Sequence, residues 1–310
     1  MHRCLRASLN HTFVRSHWHR KLVPRGAIRG KASNAANTVP QPELMLEYAN
    51  DAYGGVIVDT KGLPSDVHHF KAALRDSLQA WQQDGKRGIW LKVPLLLATH
   101  VPPAVELGFR PHHAEPEYIM LVNWVGSGVS TIPPNASHQV GIGACVINEH
   151  RQILMVQEKN GPLKGKGVWK IPTGLVDAGE DIHTAAEREV QEETGIRTTF
   201  DSVLAVRQAH GFGAGKSDLF VMVGLIPEPG QSKVTPCESE LEACKWMPLE
   251  EYADQPFQRG VALYDKIRER CIAYADGRYR GWKAEKLEGR GFDRSRQDLL
   301  LYGDIDQAKL

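Results

Sequence analysis

With 310 residues, 42% hydrophobic and 24% charged, the chain has room for two domains and the balance of an ordinary globular protein. A formal net charge of +1 excludes a bulk bias toward nucleic acid or membrane, and no apolar run approaches the roughly 18 residues that span a bilayer. The five cysteines are scattered, odd in number and without a C-x-x-C pair, which argues against a disulfide framework or a zinc site and for reduced, mostly buried thiols.

Residues 1–42 contain no Asp or Glu but carry Arg3, Arg6, Arg15, Arg20, Lys21, Arg25, Arg29 and Lys31. Leu5, Leu9 and Phe13 recur at a spacing that a helix would gather on one stripe. An acid-free, Arg-rich, amphipathic stretch is the composition of an organellar import peptide, so mitochondrial import is expected. A chloroplast address, or a basic tail on a cytoplasmic protein, stays open. A linker-like run from Ser33 to Pro40 closes this stretch.

The first folded segment is expected over 43–135. Ser65 is placed to cap a helix running to Asp84, with Val67, Phe70, Leu74, Leu78 and Trp81 on one apolar stripe and Gly85 as its stop. Gly88–Val93 reads as a strand ended by Pro94, Val101–Leu107 as a short helix, and Tyr118–Val125 as a second strand. The Pro and Ser cluster from Ile132 to Ser137 ends this small α/β domain.

A second domain is expected over 136–275. Val140–Ile147 reads as a buried strand and Ile153–Val156 as its return, followed by a Gly- and Lys-rich loop from Lys159 to Gly167. Further strands are expected at Val203–Arg207 and Leu219–Leu225, and a helix near Phe257–Ala275 with Val261, Tyr264, Ile267, Cys271 and Ala275 on one face. The polar tail over 276–310 has no assignment.

The chemistry concentrates between Gly174 and Ile196: G-L-V-D-A-G-E-D-I-H-T-A-A-E-R-E-V-Q-E-E-T-G-I. Ala185, Ala186 and Val190 among good helix formers predict a short helix over Asp181–Thr194, with Gly195 ending it in a left-handed conformation. Glu189 and Glu193 then lie one turn apart on one face, with Glu192 beside them. Three such carboxylates repel one another and raise each other's pKa. A solvated acidic face is the ordinary meaning of a Glu cluster. A hard divalent cation is the alternative, since it prefers carboxylate oxygens.

This segment resembles the signature of the Nudix hydrolases, G-x5-E-x7-R-E-U-x-E-E-x-G-U, where U is a bulky aliphatic residue. Gly174, Glu180, Arg188, Glu189, Val190, Glu192, Glu193, Gly195 and Ile196 match every fixed position. The resemblance implies a Nudix α-β-α sandwich with a mixed sheet and a Mg²⁺- or Mn²⁺-dependent hydrolase of nucleotide diphosphates. Glu189 and Glu193 are implied as principal metal ligands, Glu192 as a further one and the Gly174 carbonyl as facing the metal. Arg188 is implied to point away from the metal face and to orient Glu180. The metal activates water to attack one phosphorus. The family often places its general base on a loop before a late strand, which here ranks Glu240 first and Glu238 second.

The stretches around Trp169, Gln208 and Lys216, the sequence Lys245–Tyr252, and the upstream Gly88–Lys92 and His112–Glu115 are similar to plant and animal Nudix proteins with an N-terminal "pre-Nudix" domain. The resemblance implies an acetyltransferase-like fold for that domain and ADP-ribose or NADH as substrate; the domain itself is read as structural or as forming a homodimer. Trp169, Gln208 and Lys216 are the candidate substrate contacts. Coenzyme A derivatives, oxidised nucleotides or capped RNA stay open, as does a binding or regulatory role on the same fold. The [RQ]-x-x-G-x-[GA] loop of an acyl-CoA-dependent transferase is absent between residues 45 and 135. Gly211–Ser217 imitates a P-loop, but His210 stands where that pattern needs Gly.

Overall fold

The computed structural model describes residues 45–212, 215–256, 260–288 and 297–303. The basic stretch read as an import peptide lies outside the described residues. Two compact units follow one another, and the chain passes from the first to the second between Ala136 and Ser137. Among the described residues no helix is long and apolar enough to cross a membrane.

The N-terminal unit is a five-stranded mixed sheet in the order β1-β2-β3-β5-β4. The strands are β1 (Tyr48–Asn50), β2 (Val56–Val58), β3 (Gly88–Pro94), β4 (Arg110–Glu115) and β5 (Tyr118–Trp124). β2 and β3 run parallel, so the chain must cross over between them. Helix α1 (Val67–Gln83) makes that crossover. Its stripe of Phe70, Leu74 and Trp81 packs on Val56, Ile89, Leu91 and Leu121 of the sheet. The helix starts one residue later than the sequence suggested. Asp66, not Ser65, is the cap, and its carboxylate accepts from the N–H groups of His68 and His69. A second short helix, α2, spans Val101–Glu106.

In the C-terminal unit a four-stranded mixed sheet runs β8-β6-β10-β9, from β6 (His138–Val146), β8 (Thr173–Leu175), β9 (Thr198–Phe212) and β10 (Lys216–Pro227). β7 (Gln152–Glu158) pairs with β11 (Leu241–Pro248) as a separate antiparallel ladder. Alternate side chains of the larger sheet serve two cores, because successive residues of a strand point to opposite faces. Ala144, Val146, Val221 and Val223 pack with Ala185, Ala186 and Val190 of helix α3 (Ile182–Thr194). Cys145 and Met222 lie in the other core, with Leu249 and Tyr252 of helix α4 (Leu249–Ala253) and Cys271 of helix α5 (Ala262–Ala275). Helices therefore cover both faces of an α-β-α sandwich. Cys145, Cys237, Cys244 and Cys271 are free thiols.

Two elements exceed the expectation. β9 continues well beyond Val203–Arg207 at both ends, pairing with β10 from Thr198–Pro227 to Phe212–Lys216. Beyond Asp276 the chain forms a hairpin of β12 (Lys283–Glu288) and β13 (Gln297–Tyr302). Trp282 exchanges backbone hydrogen bonds with Val203 at 2.7 and 2.8 Å, and Leu301 packs on the α3 core. The P-loop imitation sits where β9 turns back antiparallel into β10, with His210 Nδ1 2.9 Å from Ser217 Oγ. A P-loop instead joins a strand to a helix.

Candidate active site

Helix α3 is built to carry charge at a fixed place. Its apolar face anchors it to the sheet, and its C-terminal end is closed on three sides. Gly195 adopts φ 74° and donates to the Gln191 carbonyl at 2.9 Å. Cys237 and Thr235 donate their N–H groups to the carbonyls of Glu193 and Thr194 at 2.9 and 2.8 Å. These bonds satisfy groups that a helix end otherwise leaves open. They also tie the segment 235–241 to the end of α3. At the other end Asp181, the residue before the helix, pairs with Lys286 of β12 at 2.7 Å.

Arg188 organises the acidic face. Its Nε and Nη2 donate to the two oxygens of Glu180 at 2.9 and 3.0 Å, the fork geometry that suits guanidinium and carboxylate. Nη2 also donates to the Leu175 carbonyl at 3.0 Å. Nη1 reaches Glu189 at 2.8 Å and Glu192 at 3.3 Å. The guanidinium thus touches the carboxylates of the proposed metal face, which corrects the expectation that it points away. Helical spacing fixes where the Cβ of Arg188 stands, but its long stem lets the head swing back across the turn. Burial opposes the charge of Glu180, yet the Arg188 hydrogen bond and the Asp177 N–H hold its carboxyl below the usual range.

Gly174 lies in β8 directly under this face. A Cβ there would stand 2.0 Å from Cδ of Glu189, so the Glu189 carboxylate occupies the space a side chain would fill. Burial raises the pKa of Glu189 against the pull of Arg188, with Glu192 and Glu240 adding repulsion. Glu193 is the deepest of the group, at 6% exposure, and among the described residues its Oε2 has no hydrogen-bond partner. Burial drives its pKa up to about 8. Lys170 opposes the rise, and Glu189, Glu240 and Glu158 reinforce it.

An unpartnered buried carboxylate oxygen costs free energy unless something answers it. Among the described residues no three acidic, His or Cys side chains converge as a ready-made cage. A hard cation that keeps much of its water shell needs only one or two carboxylates. Glu193, with Glu189 one turn away and an all-oxygen donor set, fits that requirement.

This burial has a pH signature. The folded pKa of Glu193 lies above its ordinary 4.5, so the metal-free folded state holds a proton that the unfolded chain has released. The stabilisation is full below about 4.5 and is lost as pH rises through about 8. Chelator-treated protein is therefore expected to show a lower Tm at pH 9 than at pH 5. Glu193→Gln, which carries no charge at either pH, should flatten that slope. An unchanged slope in the variant would refute the assignment to Glu193.

The remaining predicted residues fall in two groups. Glu240 sits on the loop tied to the end of α3, and its charge acts on both Glu189 and Glu193. Glu238 lies on the same loop and shares a groove of about 490 Å³ with Lys159, Lys164, Pro236, Leu241 and Glu242. Trp169 is half-buried against the second core, with Lys245 Nζ 4.7 Å from its ring centre. Gln208 turns its amide to His138 at 2.7 Å on the β9 side of the sheet, and Lys216 begins β10. Lys170 and its partner Glu158 escaped the sequence reading. Lys170 Nζ lies 2.6 Å from both Glu158 Oε1 and Thr173 Oγ1, beside the acidic face. Lys170 stood within the stretch leading into the motif, and its link to Glu158 follows from the Val156–Lys170 bridge, which pairs residues distant in sequence.

Residues 46–125 match the family profile described as Nudix hydrolase domain, and residues 137–267 match the NUDIX domain. The chain is 46% identical over 253 residues to Nudix hydrolase 2 of Arabidopsis thaliana, covering 81% of this chain and 90% of that protein. It is also 46% identical to Nudix hydrolase 7 of the same plant, covering 86% and 92%. Nucleoside diphosphate-linked moiety X motif 6 of Homo sapiens is 40% identical, with 72% of each chain covered. With Arg188 joining Glu180, Glu189 and Glu192 and similarity running through both units, the chain belongs to the Nudix hydrolase family.

Proposed function

We propose that this protein hydrolyses the diphosphate bond of ADP-ribose or NADH with Mg²⁺ or Mn²⁺, releasing AMP. The observation that carries the reading is the buried Oε2 of Glu193, without a hydrogen-bond partner among the described residues, beside Glu189. Glu189, Glu192 and Glu193 would hold the cation. When bound, it neutralises diphosphate charge and makes water more acidic. Arg188 and Glu180 keep the helix carboxylates in register, a supporting role that tunes a metal site. Glu240 takes the proton from the attacking water as general base. Water attacks one phosphorus and the other phosphate leaves, so no covalent enzyme intermediate is needed.

A groove lined in part by Glu238 of the Glu240 loop is compatible with a phosphate-bearing ligand. Its volume of about 490 Å³ is of ligand size, and its lining includes Lys159 and Lys164, cations suited to phosphate. A substrate panel tests the choice. ADP-ribose should give AMP and ribose 5-phosphate, and NADH should give AMP and reduced nicotinamide mononucleotide. If both stay intact while a coenzyme A derivative, an oxidised nucleotide or capped RNA is consumed, the substrate assignment is wrong. If none is cut, a nucleotide-binding role replaces hydrolysis.

A further inference from the structure

The loop that carries Glu240 is held from two sides. On one side Cys237 and Thr235 bond to the end of α3 through backbone alone, at 2.9 and 2.8 Å. The other side begins where the β7–β11 ladder stops, at the pair Glu158–Leu241. Just past it, three donors from Lys159 and Asn160 reach three consecutive carbonyls. Lys159 Nζ donates to Glu238 at 2.7 Å, Asn160 Nδ2 to Ser239 at 3.2 Å, and the Lys159 N–H to Glu240 at 2.9 Å. Inside the loop Glu240 and Leu241 both donate back to the Cys237 carbonyl, at 3.1 and 2.9 Å.

The loop's Glu240 repels the Glu189 carboxylate of α3. A base must stay within hydrogen-bond reach of the proton it takes, and a displacement of about 1 Å can cost up to a hundredfold in rate. The donors past the ladder oppose the repulsion on the side that α3 does not hold. Asn160 matters most for a test, because its donor is a side chain and it is absent from the residues lining the groove.

We infer that Asn160, with Lys159, is a positioning residue for Glu240: its amide clasps the Ser239 carbonyl and keeps the base over the site. The inference rests on the reading of Glu240 as general base. A double-mutant cycle on the full chain, with ADP-ribose and Mg²⁺, separates the two. Glu240→Gln alone should lower kcat by about a hundredfold or more, the usual worth of a general base. Asn160→Ala and Asn160→Asp, which keeps the size but loses the donor, should each lower kcat about tenfold with KM within about twofold. In the Glu240→Gln background the same changes should lower kcat by less than about twofold, because the base they position is gone.

A normal kcat in Glu240→Gln overturns the base reading and this inference with it. A large loss in Glu240→Gln together with equal losses from Asn160→Ala in both backgrounds overturns the clasp alone, since a merely structural effect acts whether or not the base is present. A raised KM at unchanged kcat would make Asn160 a substrate contact, and wild-type kinetics in both Asn160 variants would remove any role; either result overturns the clasp.

Discussion

Glu193→Gln and Glu192→Gln should each lower turnover by at least about a hundredfold while leaving the fold intact, since a single group stabilising transition-state charge can contribute 10² or more. The two losses have different physical sources. Glu193 is the buried acid whose Oε2 has no hydrogen-bond partner among the described residues. Gln keeps its size and removes the charge that would draw a cation into the site. Glu192 is exposed and lies 3.3 Å from Arg188, so its replacement removes a ligand from the outer edge of the face. Circular dichroism and Tm at pH 5 report whether the fold survives. Near-normal turnover in both variants would remove the metal role from α3.

Activity should also require added Mg²⁺ or Mn²⁺ and vanish with a chelator, returning when the ion is restored. The warrant is the donor set, which is all oxygen and suits hard ions rather than zinc. Without a cation, Arg188 is the chief positive charge on the face, and it already spans Glu180, Glu189 and Glu192. Loss of the ion also leaves Glu193 neutral over much of the pH range, because its pKa stands at about 8. A cation must displace that proton, so its affinity should rise with pH through the same range. Full turnover in chelator-treated protein would rule out the metal role.

The parts of the fold legible in the sequence are those fixed by local spacing. The three-and-four rhythm of Phe70, Leu74 and Trp81 set α1, and the placement of Gly195 set the end of α3, where the backbone takes the left-handed conformation. Local spacing does not choose between adjacent residues that can both cap, so it points to Ser65 where Asp66 acts. Nor does it show pairings between distant residues. The Lys170–Glu158 contact needs the bridge at Val156, and the β12–β13 hairpin has charges in both strands that obscure alternation. Glu240 was reachable only through the family's habit of placing a base on a late loop. What holds that loop, the donors of Lys159 and Asn160, appears only once β7 and β11 are paired.

The central claim is that a metal-dependent attack of water on a diphosphate takes place at α3. The most direct test runs ADP-ribose or NADH with Mg²⁺ in water labelled with ¹⁸O and weighs the products. One label should appear in a single phosphate of AMP or of its partner product, and Glu193→Gln should suppress its appearance in proportion to turnover. Product formed at the wild-type rate by Glu193→Gln, or label outside the phosphates, would contradict the account.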